Sequence, residues 1–254
     1  MNRSDPNSPV STSDGGPSCT RCGNKRFIIN VATGQLIQCP DCAQEMQRLQ
    51  RKAGDSLDKY GSDLGRAIAQ TFLNFQVDVD GVENKTLRAC RDGAESFADR
   101  LEKWLVIYGR SGNGKSHLAA AAHNHIVAQG VPAIYITVPD LFYKLRRTFN
   151  RDTQQEINEF EDLIDIYRKS FVLILDDLGA EKVSEWAKET LFSVLDYRYR
   201  LRLPTMITTN LDPHDRKNFD IRLVTRMTDK ELCDVVENTA PNFRSRERLS
   251  DEHI

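Results

Sequence analysis

The sequence predicts an α/β protein in which a five-stranded, largely parallel sheet lies between helices, preceded by a small four-cysteine unit. Three observations predict this fold class. Short apolar segments alternate with helical ones from Trp104 onward, which is typical of a parallel sheet covered on both faces. A glycine-rich segment, Gly109 to Ser116, joins the first apolar segment to an alanine-rich helix. Four cysteines near the amino terminus form two closely spaced pairs.

The chain divides by composition into four parts. Residues 1–18 are rich in Ser, Pro, Asp and Gly, which predicts a disordered lead-in. The four-cysteine unit spans residues 19–44, and a polar segment at 45–61 predicts a helical connector. The remaining residues, 62–254, form the predicted α/β domain.

Each element of the predicted fold rests on a local pattern. In the four-cysteine unit, apolar runs at Phe27 to Val31 and Leu36 to Gln38 flank Thr33-Gly34 and predict a hairpin. In the large domain, apolar runs bounded by turn residues predict five strands: Trp104 to Tyr108, Ala133 to Val138, Phe171 to Leu175, Thr205 to Thr209 and Leu232 to Val236. Between and before them we predict helices at Thr86 to Lys103, Lys115 to Gln129, Pro139 to Phe149, Gln155 to Lys169 and Ser184 to Leu201.

Composition limits the classes of function. The 35 basic and 37 acidic side chains give a net charge of -2, so a basic surface for nucleic acid must be local. No run reaches the 18 or more apolar residues of a membrane span, and the first residues lack the apolar core of a secretion signal. We therefore predict a cytoplasmic protein with no membrane partner. In a reducing compartment the isolated Cys90 and Cys233 predict ordinary packing.

The glycine-rich segment matches the phosphate-binding pattern G-x-x-x-x-G-K-[ST] and follows a strand, as that motif requires. Its backbone amides and the amino end of the next helix favour phosphate oxygens. Lys115 is predicted to contact the β- and γ-phosphates of ATP, and the Ser116 hydroxyl to bind Mg²⁺. The predicted nucleotide contacts are Gly109, Arg110, Ser111, Gly112, Asn113, Gly114, Lys115, Ser116 and His117.

Two carboxylates follow the third predicted strand, where parallel sheets bind ligands. Asp176 is predicted to hold Mg²⁺ through water, and Asp177 to polarise the attacking water. Asn210 ends the next strand and is a candidate for orienting that water, although strand ends also carry Asn for turn geometry. These residues predict ATP hydrolysis.

The cysteine spacing Cys19-x2-Cys22-x16-Cys39-x2-Cys42 falls within the range of a four-cysteine zinc site. Four thiolates leave no open coordination position, so the Zn²⁺ is predicted to be structural and the unit to be a zinc ribbon that presents a surface. A protein-binding surface and a nucleic-acid-binding surface both fit, the latter because Arg21, Lys25 and Arg26 lie within the unit.

Together these motifs resemble the bacterial and phage helicase loaders of the AAA+ ATPases, the DnaC/DnaI type, with the related IstB transposition helpers. The resemblance covers roughly residues 62 to 250 and rests on these segments: GRSGNGKSHLAAA, YITVPDLFYKLR, LILDDLGAEKVSEWAKETLFSVLDYRY, PTMITTNL, TRM and FRSR. It implies an AAA+ P-loop core. DnaI-type loaders carry an amino-terminal zinc-binding domain that contacts the helicase, so the resemblance implies a helicase contact for the zinc ribbon. The ribbon is more compact than that domain, and in this it departs from the family pattern.

The resemblance also implies roles for single residues. Asn210 corresponds to the sensor-1 residue, Arg226 to an arginine finger supplied to the ATP of a neighbouring subunit, and Arg244 to the sensor-2 arginine. Arg222, four residues before Arg226, is a competing finger candidate. A finger supplied between subunits implies a helical or ring-like homo-oligomer.

The resemblance implies a grip on single-stranded DNA through an added helix near the second strand. Here Lys144, Arg146 and Arg147 alternate with the aromatic residues Phe142, Tyr143 and Phe149. Cations beside aromatics suit phosphates and base faces. An amphipathic helix with its aromatics in the core explains the same pattern.

We therefore predict an ATP-dependent DNA replication protein that loads a hexameric replicative helicase onto single-stranded DNA. The alternative is an IstB-type helper ATPase that delivers a transposase to target DNA. A degenerate scaffold without ATPase activity is disfavoured because Lys115, Asp176 and Asp177 are all present. A small-molecule P-loop kinase is disfavoured by the paired aspartates and the sensor-like Asn210.

Overall fold

The computed structural model describes residues 21, 27–29, 36–39, 65–148, 154–179 and 184–243. The chain divides into two compact units, Met1–Met46 and Gln47–Ile254. The predicted lead-in at 1–18 and the connector at 45–61 lie outside the described residues. Among the described residues, no helix combines the length and the apolar character that crossing a membrane requires.

In the first unit, strands β1 (Phe27–Ile29) and β2 (Leu36–Gln38) pair antiparallel, with Phe27 opposite Gln38. This confirms the predicted hairpin. Cys39, which directly follows β2, is buried. The other three predicted zinc ligands, Cys19, Cys22 and Cys42, lie outside the described residues, so the zinc site stays a prediction.

The second unit is built on a parallel sheet of five strands: β5 (Trp104–Gly109), β6 (Ala133–Thr137), β7 (Val172–Leu178), β8 (Thr205–Thr209) and β9 (Cys233–Asn238). Their order across the sheet is β6-β7-β8-β5-β9. This confirms the predicted fold class, and the predicted strands lie within a few residues of the observed ones. Strands β5 and β8 are neighbours at the centre, so the segments that follow them emerge side by side at one edge.

Six helices accompany the sheet among the described residues: α1 (Lys85–Arg100), α2 (Lys115–Ala128), α3 (Val138–Arg147), α4 (Gln154–Lys169), α5 (Glu185–Arg200) and α6 (Ile221–Met227). Several begin at a side chain that accepts from a backbone amide, including Asn84 before α1 and Ser184 before α5. The sequence pattern did not predict the 3₁₀ turn at Gly65–Ala69 or the short hairpin of β3 (Asp78–Val79) and β4 (Val82–Glu83). It also did not give the bounds of α6.

The sheet has an apolar layer on each face. Val106, Leu173 and Ile207 belong to one core cluster with side chains from α3 to α6. On the opposite face Gly93 of α1 packs close to Leu105 and Val236, and the buried alanines 119–122 let α2 approach the strands. Strand side chains alternate between the two layers, which explains the continuous apolar runs in the sequence.

Arg198 of α5 is a fully buried cation. It lies at the end of the sheet where the parallel strands begin, opposite their carboxyl ends. Its guanidinium donates to Ser170 O and Pro204 O, both at 2.7 Å, and to Thr205 Oγ1 at 2.9 Å. Further bonds reach Tyr167 O, Arg168 O and Phe171 O. These acceptors come from the segments that enter β7 and β8, so Arg198 ties the two strands to α5.

We expect Arg198→Met to lower the free energy of unfolding by about 3 kcal/mol, because several buried carbonyl groups lose their donor at once. Urea denaturation followed by circular dichroism measures this loss. Arg200→Met, two residues later on the exposed part of the same helix, is the control and is expected to change stability by less than about 1 kcal/mol. Equal stability of the two variants would contradict the structural role of Arg198.

Candidate nucleotide-binding site

The glycine-rich loop connects β5 to α2 at the carboxyl end of β5, the neighbour of the central strand β8. Gly109 has φ +139°, and a Cβ there would lie 2.1 Å from Asn238 O. Gly114 has φ +94°, and a Cβ there would lie 2.7 Å from the ring of Phe75. Side chains are excluded at both positions by backbone conformation and by space. The glycines are therefore required for the path of this loop.

The loop curls around the ammonium group of Lys115. Its Nζ donates to Gly109 O at 2.8 Å, to Arg110 O at 2.7 Å and to Asn113 Oδ1 at 3.1 Å. Lys115 is the first residue of α2, and Gly114 before it provides no side-chain cap. The first amide groups of α2 are thus directed into the loop, where an anion is favoured by the helix dipole.

Asn113 and Asn238 fasten the loop to the end of β9. Asn113 Nδ2 donates to Asn238 O, and Asn238 Nδ2 donates to Asn113 O, both at 2.9 Å. Both side chains are buried. Phe243 N–H adds a bond to Gly112 O at 2.9 Å. The sequence pattern did not identify Asn238, because its role depends on a contact with a loop residue that is 125 positions away in the chain.

The other predicted nucleotide contacts lie within the loop and in the first turn of α2. Arg110 and Ser111 are exposed, and Ser116 and His117 are partly buried in the first turn of α2. His117 Nε2 lies 3.0 Å from Thr71 O and 2.9 Å from Asn74 Oδ1. The structure thus joins the loop to the segment before β3, a contact that the sequence pattern did not reveal.

Asp176 lies almost fully buried at the end of β7, where hydroxyl groups from both neighbouring strands meet its carboxylate. Tyr135 Oη of β6 donates to Asp176 Oδ2 at 2.7 Å, and Thr208 Oγ1 of β8 donates to Asp176 Oδ1. Burial, together with the Asp176 carboxylate, raises the pKa of the Tyr135 hydroxyl. The tyrosine therefore stays protonated and acts as a donor.

Asp177 has a left-handed backbone, with φ +60°, at an irregularity in the pairing of β7 with β8. Such a bulge turns a side chain away from its regular direction. Its carboxylate Oδ1 accepts from Asn210 Nδ2 at 2.9 Å, and its amide donates to Thr208 Oγ1 at 3.0 Å. The structure therefore brings Asp176, Asp177 and Asn210 together at the ends of adjacent strands, next to the strand that carries the phosphate loop.

Arg226 and Arg222 lie together on α6, against α5. Arg226 donates to Asp196 Oδ1 through Nε at 2.8 Å and Nη2 at 2.5 Å, and its guanidinium lies 5.0 Å from the centre of the Phe192 ring. Arg222 pairs with Glu189 at 2.7 Å and lies 4.2 Å from the same ring. Hydrogen bonds from Arg222 lower the pKa of Asp220 to about 2. Both finger candidates are thus held by carboxylates of their own chain.

The predicted DNA-contacting cations lie on α3. Arg146 and Arg147 are exposed, and their guanidinium groups lie 5.9 Å from the rings of Trp186 and Tyr143 respectively. Lys144 is partly buried. Phe142 belongs to the core and offers no face to a base, in agreement with the amphipathic interpretation for that residue. Tyr143 is 61% exposed, so one aromatic face is accessible.

Phe149, an aromatic residue of the predicted DNA site, and Arg244, the sensor-2 candidate, lie outside the described residues. Their proposed roles rest on the sequence. The described residues end at Phe243, directly before Arg244. Near this end, the side chain of Asn242 lies against Gly112 of the phosphate loop.

The phosphate loop, the paired acids and the β6-β7-β8-β5-β9 sheet define a P-loop protein with the AAA+ fold. The chain belongs to the family of IstB-like ATP-binding proteins, whose family model matches residues 43–250.

Individual relatives agree with this family. The replicative helicase loader DnaC of Buchnera aphidicola subsp. Schizaphis graminum (strain Sg) is 30% identical over 158 residues, which cover 62% of each chain. The replicative helicase loader DnaI of Bacillus subtilis (strain 168) is 29% identical over 117 residues, 46% of this chain and 36% of DnaI. A crystal structure of DnaI superposes with a TM-score of 0.54 at 26% identity, covering 68% of this chain and 92% of that chain. The chain thus spans less than two thirds of the length of these curated relatives.

Proposed function

We propose that this protein is an Mg²⁺-dependent ATPase that loads a replicative helicase onto single-stranded DNA. The observation that carries the ATPase is the placement of Asp176, Asp177 and Asn210 beside the phosphate loop. The helicase is proposed because the curated relatives DnaC and DnaI bear the name replicative helicase loader. The family model that matches residues 43–250 covers the residues of this site.

The phosphate loop binds the nucleotide by exchanging its internal contacts. On binding, Lys115 Nζ leaves neutral acceptors such as Gly109 O and Arg110 O for phosphate oxygens, because bonds between two charged groups are stronger. The Asn113–Asn238 pair holds the loop in shape meanwhile. Amides of the loop and of the start of α2 complete the phosphate contacts.

The donor set fits Mg²⁺. Ser116 supplies a hydroxyl and Asp176 a carboxylate, which are hard oxygen ligands of the kind that Mg²⁺ prefers. Each Asp176 oxygen accepts one hydroxyl hydrogen bond and retains a lone pair for a further donor such as metal-bound water. When bound, Mg²⁺ neutralises charge on the β- and γ-phosphate oxygens. Asp177 orients and polarises the attacking water, and Asn210 holds the Asp177 carboxylate in place.

Hydrolysis is proposed to require a homo-oligomer, in which Arg226 of one subunit stabilises the transition state in the next. In the chain described here the guanidinium bonds to Asp196. Docking of a second subunit then exchanges this carboxylate for the γ-phosphate. Binding and hydrolysis of ATP would in this way control assembly of the oligomer, and assembly would control binding to the helicase and to DNA.

Capture of the cognate replicative helicase tests the proposed function. Full-length protein, the chain without residues 1–60 and Lys115→Ala are each immobilised and exposed to the purified hexameric helicase with and without Mg-ATP. We expect the full-length protein to retain helicase, the shortened chain to lose it, and Lys115→Ala to lose the response to ATP. A full-length protein that retains none would contradict helicase loading.

The IstB-type alternative is favoured by one observation, the description of the matching family model. A transposition helper delivers a transposase, so the same capture experiment with the transposase of a neighbouring gene distinguishes the two functions. Retention of transposase without helicase would select the alternative.

We propose that α3 contributes to a single-stranded DNA site through Lys144, Arg146 and Arg147. Replacing all three with alanine is expected to weaken binding of an oligothymidine by about tenfold or more and to reduce the slope of log affinity against log salt by about 2. Fluorescence anisotropy at several salt concentrations measures both. A control variant removes three cations elsewhere, Arg88, Lys103 and Lys230. Binding by the α3 variant that equals the control would dispose of this site.

We propose that Cys19, Cys22, Cys39 and Cys42 bind one structural Zn²⁺, supported by their spacing and by the hairpin between the two pairs. Elemental analysis of the purified protein is expected to find one zinc per chain. Cys39→Ser is expected to lose it, whereas Cys90→Ala, a buried cysteine of α1, is expected to keep it. Equal zinc content in the two variants would contradict the assignment.

A further inference from the structure

The Asp176 carboxylate is held from both sides of its strand. Tyr135 on β6 donates to one oxygen at 2.7 Å, and Thr208 on β8 donates to the other. Tyr135 and Thr208 are buried, at 5% and 1% exposure. With one donor on each oxygen, the carboxylate cannot rotate without breaking a bond inside the protein, where an unpaired polar group is costly.

Thr208 also reaches the second acid. Its single hydroxyl hydrogen is given to Asp176 Oδ1, so its oxygen accepts from the amide of Asp177 at 3.0 Å. One hydroxyl thereby connects the side chain of Asp176 with the backbone of Asp177, at the residue whose φ is +60°. Asn210, which directly follows β8, donates to the Asp177 carboxylate. β8 therefore fixes both acids.

A purely structural role would be served by apolar side chains of the same shape. Valine matches threonine and phenylalanine matches tyrosine in volume, and the surrounding strands are apolar. The two hydroxyls instead converge on one carboxylate at the edge where the nucleotide is proposed to bind. Polar groups that hold a metal-directed carboxylate commonly affect metal affinity or activity by about 10-fold to 100-fold.

We propose that Thr208 and Tyr135 are positioning residues for Mg²⁺-dependent ATP hydrolysis: Tyr135 and Thr208 orient the Asp176 carboxylate toward Mg²⁺, and Thr208 also sets the backbone of Asp177. This inference rests on the proposed ATPase activity. Thr208 bonds to the carboxylate of Asp176 and to the amide of Asp177, whereas the Tyr135 hydroxyl donates to the Asp176 carboxylate, so their variants are expected to differ. Loss of the Tyr135 hydroxyl is expected to weaken Mg²⁺ binding. Loss of the Thr208 hydroxyl is expected to weaken Mg²⁺ binding and also to lower kcat.

The test measures steady-state hydrolysis over a range of Mg²⁺ concentrations, together with binding of a fluorescent ATP analogue in EDTA. For Tyr135→Phe we expect half-saturating Mg²⁺ to rise about tenfold, with kcat near the wild-type value at high Mg²⁺. For Thr208→Val we expect the same rise and a kcat lower by about tenfold to a hundredfold. Thr208→Ser keeps the hydroxyl and is expected to restore both. Binding in EDTA is expected to stay unchanged in all three.

Two controls separate positioning from stability. Thr205→Val makes the same change at the other end of β8, where the hydroxyl bonds to Arg198 and Leu203 O. Tyr167→Phe makes the tyrosine change on α4. Thr205→Val is expected to lower the melting temperature, because the hydroxyl bonds are lost. Neither control is expected to change half-saturating Mg²⁺. If wild type hydrolyses ATP and Thr208→Val and Tyr135→Phe keep its Mg²⁺ dependence, the positioning role is overturned while the ATPase stands. A wild type without Mg²⁺-dependent hydrolysis would overturn both.

Discussion

Arg226→Ala is expected to reduce ATP hydrolysis by about three orders of magnitude while ATP binding stays intact. An arginine that reaches the γ-phosphate from a neighbouring subunit stabilises charge in the transition state, and its removal has effects of this size. The phosphate loop of the variant is expected to be unchanged, because Arg226 contacts Asp196, Phe192, Tyr199 and Arg222, which lie on α5 and α6. Steady-state phosphate release and equilibrium binding of a fluorescent ATP analogue measure the two quantities.

Mixing two inactive variants tests whether the arginine acts between subunits. Lys115→Ala lacks phosphate binding but retains Arg226, and Arg226→Ala has the opposite defect. If the arginine of one subunit serves the nucleotide of the next, a mixture forms some interfaces with an intact loop and an intact finger. We expect activity to reappear in the mixture and to depend on the ratio of the two proteins. Continued inactivity of the mixture would contradict action between subunits.

Arg222→Ala distinguishes the two finger candidates. Arg222 shares the Phe192 ring with Arg226 and pairs with Glu189 and Asp220. If Arg226 is the finger, Arg222→Ala retains most of the activity, and both variants lose a similar cation–aromatic contact worth about 0.5–1 kcal/mol. Melting temperatures of the two variants show whether stability differs. The reverse pattern of activities would assign the finger to Arg222.

Sequence patterns predicted the parts of the fold that depend on local chemistry. The run from Trp104 to Gly109 is apolar throughout because β5 lies between two strands and is covered on both faces. A strand in this position needs no alternation, so the pattern is easily recognised. The glycines of the loop are also local signals, since Gly109 and Gly114 have positive φ values. Residues with such strong local requirements are found from the sequence alone.

Long-range partners were not predictable in the same way. Tyr135 and Thr208 resemble ordinary strand residues in the sequence, and their relation to Asp176 depends on the order of strands β6, β7 and β8. Asn238 ends β9, two residues beyond the predicted end of that strand at Val236. Strand β7 extends three residues beyond its predicted end, because a bulge carries both acids before pairing resumes at Leu178. The ends of strands, where the site lies, thus needed the structure.

Asp177→Asn is expected to reduce the hydrolysis rate by about 100-fold to 10,000-fold with little change in ATP affinity or stability. An amide keeps the size of the side chain but cannot polarise the attacking water as a carboxylate does. Asparagine tolerates the left-handed conformation that Asp177 adopts with φ +60°. Its carbonyl oxygen can still accept from Asn210, so the backbone and the bulge are preserved.

The matched control is Asp80→Asn, which makes the same substitution at another residue with a left-handed backbone. Asp80 has φ +55° and lies in the turn between β3 and β4, away from the ends of β7 and β8. Both variants lose one negative charge, and both place asparagine in a left-handed conformation with nearly the same φ. We therefore expect a similar backbone strain in the two variants. A fall in hydrolysis confined to Asp177→Asn therefore reports the carboxylate itself. Equal activity of the two variants would contradict the catalytic role of Asp177, and Asp176 with the bound metal would then have to account for the chemistry alone.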